Sequence, residues 1–122
     1  MLINLSNHPS SNWGKSQTNT AISAFDEIVD MEFPKLNPEW DYNQIKILAE
    51  EYYNKILKEL VNFTDTNNAV HLMGEMTFCF CLANMFKDAE IQCVASTTRR
   101  NAIEDNGIKT SVFEFVKFRN YF

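Results

Sequence analysis

Short apolar segments alternate with helical patterns along most of this chain, and this alternation constrains the fold more than any other feature. The predicted strands are Leu2–Ser6, Glu27–Met31, Ala69–Met73 and Ile91–Ala95, and the predicted helices are Ser16–Phe25, Asp41–Asn62 and Thr77–Lys87. Strands that alternate with helices are typical of a parallel sheet covered on both faces. Because the crossovers of such a sheet are right-handed, we expect an α/β fold, a Rossmann-like three-layer sandwich.

The most regular helical pattern lies in residues 41–62, where apolar side chains recur every three or four positions: Ile45, Leu48, Ala49, Tyr52, Ile56 and Leu60. This spacing predicts one buried stripe, and Asp41 with Gln44 predicts a capping box at its start. The predicted helix Thr77–Lys87 is apolar almost all round. We therefore expect it to be buried by the sheet and by a second subunit.

The end of the chain predicts a β-hairpin. Residues 99–104 and 108–118 flank Asp105-Asn106-Gly107, and Asn-Gly between two strand-like runs is a strong hairpin signal. The 122 residues are enough for one domain, so we expect residues 1–122 to form a single mostly parallel sheet extended by a C-terminal hairpin.

Charge and composition exclude several classes of function. A formal net charge of -5 argues against binding long DNA or RNA, which needs a basic face. We find no signal-peptide pattern and no apolar stretch long enough to span a membrane. Three cysteines, an odd number, favour a reducing cytoplasm over a disulfide framework. No HExxH or CxxC motif is present, so we expect no metal and no cofactor.

Polar clusters follow three of the predicted strands, and ligands bind beyond the carboxyl ends of strands in such sheets. The candidate ligand-binding residues are Ser6, Asn7, Ser10, Ser11 and Trp13 after the first strand, Gly74, Glu75, Met76 and Thr77 after the third, and Ser96, Thr97, Thr98 and Arg100 after the fourth. The candidate catalytic residues are His8 and Arg99. We expect the three clusters to converge on one phosphate ligand.

Each cluster also has a purely structural interpretation. Gly74 permits a tight turn or close backbone approach, and Thr77 is a fair N-cap, so this turn could be an ordinary strand-to-helix junction. Arg99 and Arg100 could bind phosphate in bidentate fashion, or they could be solvated and paired with Glu104 or Asp105.

Individual aromatic and titratable residues leave similar alternatives open. His8 could transfer protons or donate to the backbone of a turn, and Trp13 could stack on a base or pack in the core. Glu75 could contact ribose hydroxyls or a base edge. His71 lies inside an apolar strand, so we expect a core residue with satisfied hydrogen bonds.

Five segments together resemble a known family: INLSNHPSSNW, EIVDMEFP, VHLMGEMTF, CVASTTRR and SVFEFVKFRNY. The likeness is to small CRISPR-associated proteins of type III systems, related to the CARF (CRISPR-associated Rossmann fold) ring nucleases, and it runs along nearly the whole chain. The resemblance implies a homodimer that binds cyclic oligoadenylate, the second messenger of type III immunity, across its two-fold axis.

Some members of the resembled family cleave the ring, without a metal, and switch the signal off, whereas others only bind it. A ribose 2′-hydroxyl attacks the adjacent phosphate, and the protein holds the geometry and stabilises charge. Arg99 and the amides of Met76 and Thr77 are predicted to stabilise that charge, and His8 to assist proton transfer. Two alternatives stay open: a non-catalytic sponge or sensor for the same ligand, and a structural or regulatory interaction subunit.

Overall fold

The computed structural model describes residues 1–62 and 67–122. The helices are α1 (Lys15–Phe25), α2 (Tyr42–Leu60) and α3 (Met76–Asp88), with a short 3-10 helix at Ser10–Asn12. The strands are β1 (Leu2–Ser6), β2 (Ile28–Glu32), β3 (Ala69–Met73), β4 (Cys93–Asp105) and β5 (Ile108–Asn120).

The five strands form one sheet in the order β2-β1-β3-β4-β5. The pairs β1–β2, β1–β3 and β3–β4 are parallel, and only β4–β5 is antiparallel. Side chains that point to one face of β1 pack against α1, whereas those of the other face pack against α2 and α3. The predicted α/β three-layer sandwich with a C-terminal hairpin is confirmed.

Most of the core lies between the sheet and the pair α2–α3. Its largest fully buried side chains include Phe78 and Phe86 on α3 and Ile3, Leu5 and Leu72 on the strands. The capping box predicted for α2 is present, because the Asp41 amide donates to Gln44 Oε1 at 3.0 Å. The α1 face has a smaller core around Leu2, Ala21, Phe25, Ala69 and Val94.

The fourth strand corrects the prediction that it ends near Ala95. It continues as β4 through Ser96–Arg100 to Asp105, and β5 pairs with it along this length, with one irregularity between Thr97 and Thr98. Polar residues continue the strand because an antiparallel partner supplies their backbone hydrogen bonds. β3 pairs with β4 only at the Val70–Cys93 and His71–Val94 positions, so the distal hairpin is a two-stranded ribbon.

The helices of the described residues include none that has both the length and the apolar character needed to cross a bilayer.

Candidate functional site

The chain changes direction across the sheet at β1. From β1 it passes through α1 to β2 on one side, and then through α2 to β3 on the other side. In open α/β sheets a crevice forms at such a switch point, beyond the carboxyl ends of the strands. The carboxyl ends of β1 and β3 are therefore where this fold offers a ligand site.

Three polar side chains are buried at this end of the sheet. Asn4 and Ser6 lie on β1, and His71 lies beside Asn4 in the parallel register of β3. They are 2%, 7% and 2% exposed, respectively. Strand alternation places all three on the α1 face, the opposite face from Ile3 and Leu5. Buried polar groups at this depth need internal hydrogen-bond partners.

The Asn4 amide determines which nitrogen of His71 carries the proton. Asn4 Nδ2 donates to the His8 carbonyl at 2.9 Å and to Asp30 Oδ1 at 2.8 Å, so Asn4 Oδ1 must be an acceptor. That oxygen lies 2.8 Å from His71 Nδ1, which therefore bears the hydrogen. In the neutral ring Nε2 then has a free lone pair, and it lies 3.2 Å from Ser96 Oγ.

The surroundings of His71 keep its ring neutral and fixed in orientation. Trp13 and Phe118 make edge-on contacts with the imidazole, at centroid distances of 5.2 and 5.6 Å. Burial, with a smaller contribution from the nearby His8, lowers the pKa of His71 to about 4. The prediction of a buried histidine with satisfied hydrogen bonds is confirmed, since both ring nitrogens have partners.

The hydrogen bonds that link Ser96, His71 and Asn4 continue from Asn4 to a carboxylate, that of Asp30. Partial burial opposes ionisation of Asp30, but hydrogen bonds from Asn4 and Ser10 hold the pKa of Asp30 below its ordinary value. Ser10 donates through both its amide, at 3.0 Å, and its hydroxyl, at 2.7 Å. The sequence Asp30–Asn4–His71–Ser96 thus runs across four strands, from a fixed anion to a hydroxyl group.

The switch-point cavity, with a volume of about 800 Å³, lies on the α1 face over the His71 and Ser96 end of this row, whereas Asn4 and Asp30 line a smaller neighbouring depression. Its walls are the loop after β1, the first turn of α1 at residues 14–17, and the β4–β5 hairpin. Ser6, His71 and Ser96 form polar parts of its wall, and Trp13 and Phe115 add aromatic surface. This volume lies in the range of small-molecule sites.

The start of α1 gives the cavity a donor-rich wall. Gly14 is the N-cap, and in the described residues no side chain caps the first amides of α1 and no acidic residue lies in its first turn. Lys15 adds a positive charge at the same place. A free helix N-terminus with a neighbouring cation favours phosphate or carboxylate groups.

The start of α3 differs, because Glu75 occupies it. The Glu75 carboxylate accepts from the amides of Thr77 and Phe78 at 3.1 and 2.8 Å and from the Thr77 hydroxyl. The Phe78 amide and the Thr77 hydroxyl hold the pKa of Glu75 below its ordinary value. The prediction that Thr77 is the N-cap is wrong: α3 begins at Met76, so Glu75 occupies the N-cap position and its side chain accepts from the amides of Thr77 and Phe78.

Gly74 has a packing role at the same turn. A Cβ on Gly74 would lie 2.2 Å from Cζ of Phe33, so the ring of Phe33 occupies the space that any side chain would need. Phe33 in turn makes an edge-on contact with Phe78, at a centroid distance of 5.4 Å. The close approach that Gly74 permits is therefore to an aromatic ring of the protein's own core.

The predicted site residues separate into two groups. Ser6, His8, Trp13, Ser96 and Thr98 line the switch-point cavity. By contrast, Gly74, Met76 and Thr77 line a second depression, which we call the apolar groove, between α3 and the chain end at Tyr121 and Phe122. Met73 lines both depressions.

The other predicted residues lie around the edge of the switch-point cavity. Asn7 lines a smaller neighbouring depression beside Asp30, and Ser11 is exposed on the 3-10 helix. The Thr97 hydroxyl donates to the Lys117 carbonyl at 3.1 Å.

The two arginines lie farther along the hairpin ribbon. Arg99 lies opposite Glu114 in the β4–β5 register. Arg100 donates from Nε and Nη2 to Ser111 Oγ, at 3.1 and 2.9 Å. Both arginines are exposed, and the phosphate and catalytic roles predicted for them stay predictions.

Sequence reasoning missed the central residues of the site. Asn4 and the first turn of α1 were not among the candidates, and His71 was expected only to fill the core. One signal was present in LINLS, where Asn4 and Ser6 alternate with apolar residues in a strand that is otherwise buried. Two polar side chains on one face of a buried strand indicate a polar network on that face.

The family model described as Uncharacterized protein MJ1673 family matches residues 1–119, which is nearly the whole chain. Comparisons with curated proteins and with solved structures give no match.

Proposed function

We propose a function from the chemistry of the switch-point cavity, because the chain belongs to the uncharacterized protein MJ1673 family and that description assigns no activity. In this proposal the cavity binds a cyclic oligoadenylate in the cytoplasm and cleaves it by attack of a ribose 2′-hydroxyl on the adjacent phosphate. The protein would then switch off type III CRISPR signalling.

One observation carries the proposal. A single cavity at the switch point combines aromatic surface, an uncapped helix N-terminus and a buried imidazole hydrogen-bonded to a hydroxyl. An adenylate unit presents a base that stacks on aromatic rings, a phosphate that suits helix amides, and a ribose hydroxyl that hydrogen-bonds to polar side chains. These three demands match the three kinds of wall.

The aromatic wall supports base stacking. Trp13 is half-buried, and its Nε1 donates to the His8 carbonyl at 3.2 Å, which holds the indole at the cavity edge. Phe113, on the hairpin, is 65% exposed and lines the same cavity. A large exposed aromatic surface beside a polar cavity suits a planar ligand better than it suits water.

The choice of a cyclic oligoadenylate rests on the sequence resemblance to type III CRISPR-associated proteins. The resembling segments INLSNHPSSNW, VHLMGEMTF and CVASTTRR contain Asn4, His71 and Ser96, and EIVDMEFP contains Asp30, so all four residues of the hydrogen-bonded row lie in these segments. The net charge of -5 does not exclude this ligand, because the uncapped α1 N-terminus and Lys15 supply positive potential at one wall of the cavity, opposed by the Glu114 carboxylate on the hairpin wall.

A homodimer is part of the proposal, and the apolar groove supports it. The groove and the switch-point cavity lie on opposite faces of the sheet, so a dimer formed through the groove would hold a ligand in each subunit's own cavity and not across the two-fold axis that the resemblance implies. Exposed apolar side chains surround this groove of about 830 Å³, including Met76 at 83%, Phe80 at 72% and Tyr42 at 65% exposure. Exposed apolar surface of this kind marks interaction sites. A second copy seated on α3 would cover Phe80, as the apolar sequence of this helix leads us to expect.

Incubation of the purified protein with cyclic tri-, tetra- and hexa-adenylate, followed by chromatography of the products, tests the proposal. We expect one ring to be bound and converted to linear products that end in 2′,3′-cyclic phosphate. Intact ring held at high affinity would favour the sponge or sensor alternative. Absence of binding to all three rings would refute the nucleotide proposal and favour the interaction-subunit alternative.

Two tryptophan variants connect the result to the cavity. Trp13→Ala removes a proposed stacking surface and should weaken ring binding about 10- to 100-fold, the equivalent of one lost base stack. Trp40→Ala is the matched control, because Trp40 is exposed and lies before α2, outside the cavity. Equal effects of the two substitutions would contradict the placement of the ligand.

A further inference from the structure

We propose that Ser96 is the catalytic residue that accepts the proton of the attacking 2′-hydroxyl, and that His71 and Asn4 are positioning residues that make Ser96 able to do so. This inference rests on the cleavage reaction proposed above. It names a proton acceptor different from His8, the candidate that the sequence suggested.

The direction of the His71 lone pair is fixed by its neighbours. Asn4 Nδ2 has two acceptors, the His8 carbonyl and Asp30, so the amide cannot be reversed without placing its oxygen against both of them. His71 Nδ1 must then donate to Asn4 Oδ1, and Nε2 presents its lone pair to Ser96 Oγ at 3.2 Å. A base held by a third group and directed at a hydroxyl is the arrangement that activates hydroxyl groups in enzymes.

Ser96 lies at the wall of the switch-point cavity, beside His71. Ser96 is half-buried and lines the switch-point cavity, so its oxygen faces both the buried imidazole and the ligand space. Its hydroxyl also lies 2.9 Å from Met73 Sδ, a weak acceptor. With its single hydrogen directed to His71 or Met73, Ser96 Oγ retains lone pairs that can accept from a ligand hydroxyl.

His8 differs from His71 in how its ring is held. His8 is exposed, and its hydrogen bonds in the described part of the chain are made by its backbone, through a carbonyl that accepts from Asn4, Ser6 and Trp13. Within residues 1–62 and 67–122, no hydrogen bond or aromatic contact holds the His8 ring. The His71 ring, by contrast, is held by two hydrogen bonds and by two edge-on aromatic contacts.

The proposed step is balanced without a co-reactant. The 2′-oxygen forms a bond to phosphorus while its proton passes to Ser96 Oγ, and the Ser96 proton passes to His71 Nε2. The bond between phosphorus and the 5′-oxygen breaks. The proton then returns through Ser96 to that leaving oxygen, so the products are a 2′,3′-cyclic phosphate and a free 5′-hydroxyl, and His71 is neutral again.

Single-turnover cleavage and ring binding, measured separately, test this assignment. Ser96→Ala should slow cleavage at least about 100-fold, the usual contribution of a positioned proton acceptor. Its affinity for the 2′-deoxy form of the same ring, which has no attacking hydroxyl, should stay within about threefold of wild type. Ser96→Thr keeps a hydroxyl and should retain cleavage within about tenfold of wild type.

The matched control is Ser23→Ala, because Ser23 is exposed on α1 and lies outside the cavity lining. His71→Gln should slow cleavage as much as Ser96→Ala does while it still binds the 2′-deoxy ring, provided that thermal melting shows it folded. Nitrogen NMR shifts of the resting wild-type protein provide a readout besides activity. They should show the neutral tautomer of His71, protonated at Nδ1 and unprotonated at Nε2.

The possible failures are distinguishable. A wild-type protein that binds no ring refutes the proposed function and this inference with it. One that binds but does not cleave refutes the inference and leaves the binding proposal intact. Cleavage that survives Ser96→Ala unchanged, or a His71 that carries its proton at Nε2, refutes the inference alone.

Discussion

The buried His71 predicts a specific loss of stability in mild acid. Its pKa is about 4 in the folded protein, whereas an unfolded histidine titrates near 6.5. Between these pH values the unfolded state binds one proton that the folded state does not, so stability falls as the pH falls. His71 is only 2% exposed, and solvent screening therefore removes little of the effect.

The size of this loss follows from the two pKa values. Each pH unit between them is equivalent to about 1.4 kcal/mol of unfolding free energy. Relative to pH 7.5, His71 should therefore cost the protein about 2 kcal/mol at pH 5 and about 3 kcal/mol at pH 4. Above pH 6.5 its contribution to the pH dependence should be nearly absent.

Urea unfolding of the wild type and of His71→Gln at pH 7.5, 6, 5 and 4 measures the difference directly, because other titrating groups are common to both proteins. The unfolding free energy of the wild type minus that of His71→Gln should fall by about 3 kcal/mol between pH 7.5 and pH 4. His8→Gln controls for removal of an exposed imidazole and should keep most of the wild-type loss. Parallel curves for the wild type and His71→Gln would refute the neutral, buried imidazole.

Three further substitutions test other parts of the structure. Gly74→Ala should destabilise the protein by about 1–3 kcal/mol in urea unfolding, because the new Cβ overlaps the Phe33 ring, and an unchanged midpoint would contradict that contact. Glu75→Ala should cost about 1 kcal/mol in the same assay by removing the N-cap of α3, and no loss would contradict the cap. Phe80→Ser should weaken dimerisation at least about tenfold in sedimentation equilibrium, whereas Ile47→Ser, also exposed, should not. Equal effects of Phe80→Ser and Ile47→Ser would exclude the apolar groove as the dimer contact.

The fold was largely predictable because its signals are local. The apolar runs LINLS and AVHLM coincide with β1 and β3, residue for residue. The apolar stripe of residues 41–62 and its capping residues predicted α2 within two residues. The turn at Asn106-Gly107 joins β4 to β5, and both residues have the positive φ that this hairpin turn requires.

The site was less predictable because it depends on contacts between distant segments. His71 is ordinary within its own strand, and its role becomes visible only when β1 brings Asn4 beside it and β4 brings Ser96. At the start of α3, too, the sequence did not decide which hydrogen bonds form, although the residues are close together in the chain. Glu75 and Thr77 can both cap a helix, and composition alone does not decide which side chain reaches the amides.

The position of the phosphate-binding wall also depends on three-dimensional structure. The sequence suggested the helix after Gly74, whose first turn is closed by a carboxylate. The free helix start is that of α1, on the opposite face, where Gly14 offers no capping side chain. Which helix end stays open could be decided only from the hydrogen bonds at both.

Whether the switch-point cavity binds a cyclic oligoadenylate is tested most directly by an NMR titration of nitrogen-15-labelled protein with cyclic tri-, tetra- and hexa-adenylate. The account predicts that one ring shifts the amides of residues 14–17 and the Trp13 indole N–H, together with the His71 ring signals. Absence of shifts with every ring would contradict the account. So would shifts confined to Met76 and Phe80 in the apolar groove, because the ligand would then lie on the other face of the sheet.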